Sequence, residues 1–97
     1  FPFPEVEFRR RLWQCAWPAA AHTVDIEIDL LAQQFRLSGG NIRNVGLAAS
    51  YLAAAKDGVV RMSHVMHALR REHQKLGSDA ATDRRLATLE VVHGHGG

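Results

Sequence analysis

The sequence predicts an all-α domain, a small four-helix bundle, and three observations carry that expectation. Apolar residues recur at three- and four-residue spacing through most of the chain. The connections between those stretches are short and marked by Pro18, Gly39-Gly40, Gly58 and Gly77. With 97 residues and 46% hydrophobic content there is room for one compact core and not for two.

The first helical segment runs from Glu5 to Trp17, between the prolines at 4 and 18, with acidic residues in its first turn. Phe8, Leu12 and Cys15/Ala16 fall on one face, with Val6, Trp13 and Trp17 beside it, and Cys15 reads as a small core residue. Residues 18–23 are small and irregular. Asp25 is placed to cap a second short helix on which Ile26, Leu30, Leu31 and Phe35 share a face, ending near Arg36 or Leu37. Ser38-Gly39-Gly40-Asn41 combines a capping serine with two glycines and opens the third helix, Ile42 to Lys56, which is alanine-rich and the longest and most buried.

Asp57-Gly58 forms a turn and Val59-Val60 a short extended link to the fourth helix, Arg61 to Leu76. Its inner stripe is Met62, Met66 or Val65, Leu69, His73 and Leu76, and Gly77 stops it. From Ser78 the apolar density falls. Asp83 to Val92 can make a short additional helix, and His93-Gly94-His95-Gly96-Gly97 reads as an unanchored end. The expected organisation is a bundle over residues 1–77 and a partly flexible extension over 78–97.

A formal net charge of +2 is too small to attract a polyanion strongly, so nucleic acid is not the expected partner. No apolar run is long enough to span a bilayer and no signal peptide is present, so the chain reads as soluble and membrane-free. The single cysteine, Cys15, has no partner for an internal disulfide, which points to the reducing cytoplasm. The opening Phe1-Pro2-Phe3-Pro4, without methionine, reads as a cut inside a larger protein.

His64 and His67 lie three apart but lack a third ligand at matching spacing, so no metal site is expected. Trp13 and Trp17, four apart, are expected to pack the first helix onto the third, and His73 to be a hydrogen-bonded residue of the core or its boundary. Of Arg9, Arg10 and Arg11, successive helical residues about 100° apart, two should be solvated.

Several ordered blocks then point to a family. Phe1-Pro2-Phe3-Pro4-Glu5, Arg9, Leu12-Trp13, Pro18, the Asp25 to Phe35 segment, Leu37-Ser38-Gly39-Gly40-Asn41-Ile42-Arg43-Asn44 and Ala68-Leu69-Arg70-Arg71-Glu72-His73-Gln74-Lys75-Leu76-Gly77 together resemble the C-terminal helical lid of bacterial AAA+ ATPases of the cell-division-cycle-like branch. The resemblance covers residues 1 to about 77. It implies a parent protein that forms a ring, a homo-oligomer and typically a hexamer, hydrolyses ATP and remodels a protein substrate. ATP or ADP with Mg²⁺ would then lie between the large P-loop domain of the same chain and this lid, and neighbouring subunits would contact it. The start of the third helix would supply the nucleotide sensor, with Gly39, Gly40, Asn41 and Arg43 as candidate cofactor-binding residues. The family also places an arginine at the position of Arg9, implying a contact with the large domain or a neighbouring subunit.

The residues alone fit that role. A helix N-terminus offers unpaired N–H groups and partial positive charge, and glycines permit close approach. The bland alternative is a tight corner at Gly39-Gly40 with a solvated Arg43. The chain contains no Gly-x-x-x-x-Gly-Lys-Ser/Thr and no nucleophile–base set, so by itself it hydrolyses nothing, and no catalytic residue is expected in it. Two competing readings are a helix-turn-helix DNA-binding module over residues 26–56 and a purely structural protein-interaction bundle. The run Val45 to Ala55, dominated by small residues, suits helix packing better than a groove-reading face.

Overall fold

The computed structural model describes residues 5–18, 21–77 and 80–93, with side chains from Thr82 to Leu89 in the last segment. Phe1-Pro2-Phe3-Pro4 and the glycine-rich tail after His93 lie outside the described residues. Five helices and one very short ladder make up the rest: α1 (Glu5–Gln14), β1 (His22–Thr23), α2 (Ile28–Gln34), α3 (Gly39–Ala54), β2 (Val59–Val60), α4 (Met62–Lys75) and α5 (Ala80–His93). The all-α expectation holds, with a fifth helix added to the four.

The core lies among α1, α2, α3 and α4, with Leu31 and Ala32 of α2 fully buried in it. α3 lays Ile42, Val45, Ala49 and Ala53 inward, and α4 answers with Met62, Val65, Met66 and Leu69, all buried. Trp13 fills the space under α1 with no solvent exposure, its ring centroid 6.3 Å from that of Trp17. Its indole Nε1 has no hydrogen-bond acceptor among the described residues. Among the described glycines the closest approach is at Gly46 on α3, where the chain leaving α1 passes so closely that a Cβ would overlap the carbonyl oxygen of Ala16.

Several boundaries differ from the sequence reading, each for a physical reason. α1 ends at Gln14, not Trp17, so Cys15 is exposed and Ala16 alone turns into the core. α2 starts at Ile28 and ends at Gln34, with Glu27 at its N-cap. Asp25 is not that cap. Its backbone sits at φ 56°, a left-handed conformation that aspartate tolerates, and its Oδ1 accepts the N–H of Met62 at 2.7 Å. Asp25 therefore caps α4. α3 begins at Gly39, three residues earlier than expected, because Ser38 is the N-cap. α4 ends at Lys75, which leaves Leu76 as an exposed C-cap and not an inner residue, and Gly77 follows at φ 86°.

The Val59–Val60 link is a strand. It pairs in parallel with β1 in the register His22 to Val59 and Thr23 to Val60, and Val24 N–H continues the contact to Val60 O at 2.9 Å. α5 is as long as α4 and is more than a short turn; it seats Leu86 in the core, sets Asp83 against His73 at 3.2 Å and sends Arg85 to the carbonyl of Gln34. Among the described residues no helix is long and apolar enough to cross a membrane.

Candidate functional site

The beginning of α3 is where a short α2, a capping serine and two glycines meet. Ser38 Oγ accepts the N–H of Asn41 at 3.2 Å and donates to Asn41 Oδ1 at 2.6 Å, fixing the first turn. Ile42 N–H closes the first intrahelical bond to Ser38 O. The N–H groups of Gly39 and Gly40, at the first two helical positions, have no acceptor among the described residues. Both glycines are helical and neither forms a left-handed corner. A Cβ at Gly39 would make only ordinary contact with Leu12, and one at Gly40 would meet nothing nearer than Ser38 Oγ at 3.9 Å. Nothing among the described residues therefore requires glycine at these two positions.

Beside Gly39 lies a cleft of about 290 Å³ whose walls include Phe8, Arg9, Arg36 and Ser38. Arg9 is buried in its wall, with Nε donating to Ala32 O at 2.8 Å and Nη1 at 3.6 Å from Glu5. This arginine ties α1 to α2 and is occupied within the domain. Arg36 is different. It is exposed and has no hydrogen-bond or ion-pair partner among the described residues, which leaves a free cation on the cleft that Gly39 also lines.

On its other flank the α3 N-terminus is bolted to α4. Asn41 Nδ2 donates to Glu72 Oε2 at 2.7 Å, Asn44 Nδ2 reaches the same oxygen at 3.3 Å, and Lys75 Nζ holds Oε1 at 3.0 Å. Glu72 is only 5% exposed. Burial pushes its carboxyl upward, but the donors from Asn41, Lys75 and Asn44 outweigh it and hold the group below its ordinary 4.5.

Of the four residues the sequence singled out, Gly39 and Gly40 present free N–H groups, Gly39 beside the cleft. Asn41 turns its amide inward to Glu72, and Arg43 stands exposed and unpaired one turn further along. Sequence reading missed Arg36 and Glu72. Arg36 carried a signal, a cation two residues before a serine cap; Glu72 carried only an i,i+3 pairing with Lys75.

Among the described residues no group of three or more His, Cys, Asp or Glu is placed to hold a metal. α3 packs on both α1 and α4, and its remaining face carries one cation, Arg43, followed by the apolar Leu47 and Tyr51, not the polar or basic surface a DNA groove requires.

Residues 5–76 match the family model of the contractile injection system ATPase helical domain. This chain belongs to that family. The match takes in α1 to α4 and ends before α5, so the cleft beside Gly39 and the Glu72 anchor both belong to the helical domain of an ATPase of a contractile injection system. Comparison with curated proteins and with solved structures gave no match.

This ATPase helical domain also carries an acid-sensitive joint at the start of α4. Arg61 N–H donates to His64 Nδ1 at 3.0 Å, which requires that nitrogen to be unprotonated. Burial lowers the His64 pKa below 6.5; the charges of Arg61 and Lys56 lower it further, against Asp57 and Asp25. The folded state thus binds this proton less readily than the unfolded chain. The stabilisation is complete above about pH 6.5 and is lost as pH falls through the folded value. Urea midpoints should drop between about pH 7.5 and pH 5.5. In His64→Gln, whose amide oxygen can accept the same N–H without titrating, the drop should shrink; equal drops in both proteins would assign the effect to other histidines.

Proposed function

We propose that this domain is the C-terminal lid of a AAA+ motor, of the cell-division-cycle-like branch, serving a contractile injection system. The lid comprises residues 1–77, with 78–97 an extension. It closes over nucleotide held by a large P-loop domain of the same chain. The parent assembles as a homo-oligomeric ring, a hexamer, in the cytoplasm and remodels a protein substrate.

The observation that carries this reading is the pair of free N–H groups at Gly39 and Gly40, at the head of a 16-residue helix and beside the unpaired Arg36, in a family of ATPase helical domains. The donor set suits a phosphate, and the glycines leave the approach open. ATP with Mg²⁺, when bound in the parent, supplies the phosphate charge and the free energy of hydrolysis. The domain's own residues then do three things. Gly39 and Gly40 offer backbone donors, Arg36 and Arg43 offer cations to phosphate or to a carboxylate of the large domain, and Asn41 passes any displacement of this segment to Glu72 on α4. The lid acts as a lever whose angle to the large domain follows nucleotide state.

The test is steady-state ATPase activity of the full-length parent, with ring assembly checked for each variant. In Gly40→Asp the new carboxylate suits the helix dipole, so the fold holds, while it repels phosphate. KM for ATP should rise about tenfold, near 1.4 kcal/mol of lost binding. Arg36→Ala should act in the same direction. An unchanged KM in both, with rings intact, would leave the segment mechanical and sink the nucleotide reading.

A further inference from the structure

The outward faces of α3 and α4 enclose a second concavity, a groove of about 540 Å³ that shares no lining residue with the cleft beside Gly39. Its walls include the small or apolar side chains of Ala48, Leu52 and Ala68. On its α3 wall Leu47 is 45% exposed and Tyr51, one turn later, 79% exposed. Single apolar side chains in water are ordinary; two in succession along an apolar groove form a patch.

The unpaired charges around it have one sign. Arg71 lines the α4 wall, exposed and without a partner among the described residues, and Arg43 extends the Leu47–Tyr51 stripe one turn earlier, also unpaired. The acidic lining residue, Glu72, is already saturated by Asn41, Asn44 and Lys75. An occupant therefore meets an apolar trough with two unneutralised guanidinium groups on its borders.

We propose that this groove docks an acidic amphipathic helix of a partner protein. A helix fits because the anchors Leu47 and Tyr51 are spaced by one turn along α3, which lines the trough from Asn44 to Ala55, a helical rise of about 17 Å. Acidic residues fit because Arg43 and Arg71 lack counter-charges. A second copy of this domain fits less well, since Glu5, Glu7, Asp29 and Asp57 are each engaged in an ion pair of their own and Asp83 is set against His73.

The probe is a capped helical peptide of about 15 residues, with leucines at i and i+4 flanked by glutamates, and a twin with lysine in place of every glutamate. Each is titrated into the ¹⁵N-labelled 97-residue chain at low salt, and amide shifts are mapped. The acidic peptide should saturate with a Kd in the micromolar range and shift Leu47, Tyr51, Ala55 and Arg71, while the lysine twin should not. Tyr51→Ser and Arg71→Glu, both at exposed positions, should each weaken binding about tenfold with the thermal melt unchanged. Equal binding of both peptides, or no groove shifts at millimolar peptide, overturns the proposal. So does self-association that Tyr51→Ser abolishes, which would make a second copy the occupant.

Discussion

Replacing Gly46 with alanine is expected to destabilise the domain by about 3 kcal/mol or more, at the upper end of what overpacking produces. The added Cβ would overlap the carbonyl oxygen of Ala16 and stand 2.9 Å from both its carbonyl carbon and its Cβ. Two of those three atoms are backbone, so no rotamer change relieves the clash. Relief requires lifting the end of α1 from α3, and Trp13, fully buried one turn earlier, would be dragged with it. Urea denaturation of the 97-residue chain measures the effect. Gly40→Ala is the companion control, because its Cβ would meet nothing closer than 3.9 Å and alanine favours the helix. A Gly46→Ala protein as stable as the wild type would mean that α1 does not seat on α3 as described.

The second large effect is expected at Asn41→Ala, about 2 to 3 kcal/mol near neutral pH. Removing the amide deletes the 2.7 Å bond to Glu72 and leaves a buried carboxylate with Asn44 and Lys75 as its donors. The sign with pH is fixed by the direction of the Glu72 shift. Its folded pKa lies below 4.5, so its contribution is complete above that value and is lost as pH falls through the folded pKa. The gap between wild type and variant should therefore be widest near pH 7 and narrow below about pH 4.5, where protonation neutralises the group in both. Paired denaturation curves at the two conditions check this. A gap that stays constant with pH would mean that the variant acts through the α3 cap and not through Glu72.

The features legible in the sequence were local ones. Ser38 as a cap, Gly77 as a stop and the inner stripe from Met62 to Leu69 each rest on residues within a turn or two of one another. What escaped was non-local. The carboxylate of Asp25 belongs to a helix 37 positions away, although its place just before Ile26 suggested the nearer one. Two-residue strands carry no periodicity, so although Val59-Val60 was readable as extended, its partner His22-Thr23 and the pairing between them were not. Cys15 matched an inward helical position, but α1 had already ended. At the candidate site the cap and the glycines were readable from their types, whereas Arg36 and Glu72 acquire meaning only from what the fold sets beside them. Leu86 is the same case in α5: one fully buried residue in a segment with weak apolar periodicity.

The capping of α4 by Asp25 has a bearing on how the chain assembles. The bond from Met62 N–H, with the two-rung ladder beside it, closes a circuit from the residues before α2 to the first turn of α4. In a nascent chain α4 starts without that cap until residues 22–25 come round to meet it, so its first turn matures only when the circuit shuts. An excised α3–α4 hairpin would lack the capping carboxylate altogether. α2, α3 and the head of α4 are thus bound into one cooperative unit, and local fraying there must either stay within a turn or open the whole circuit.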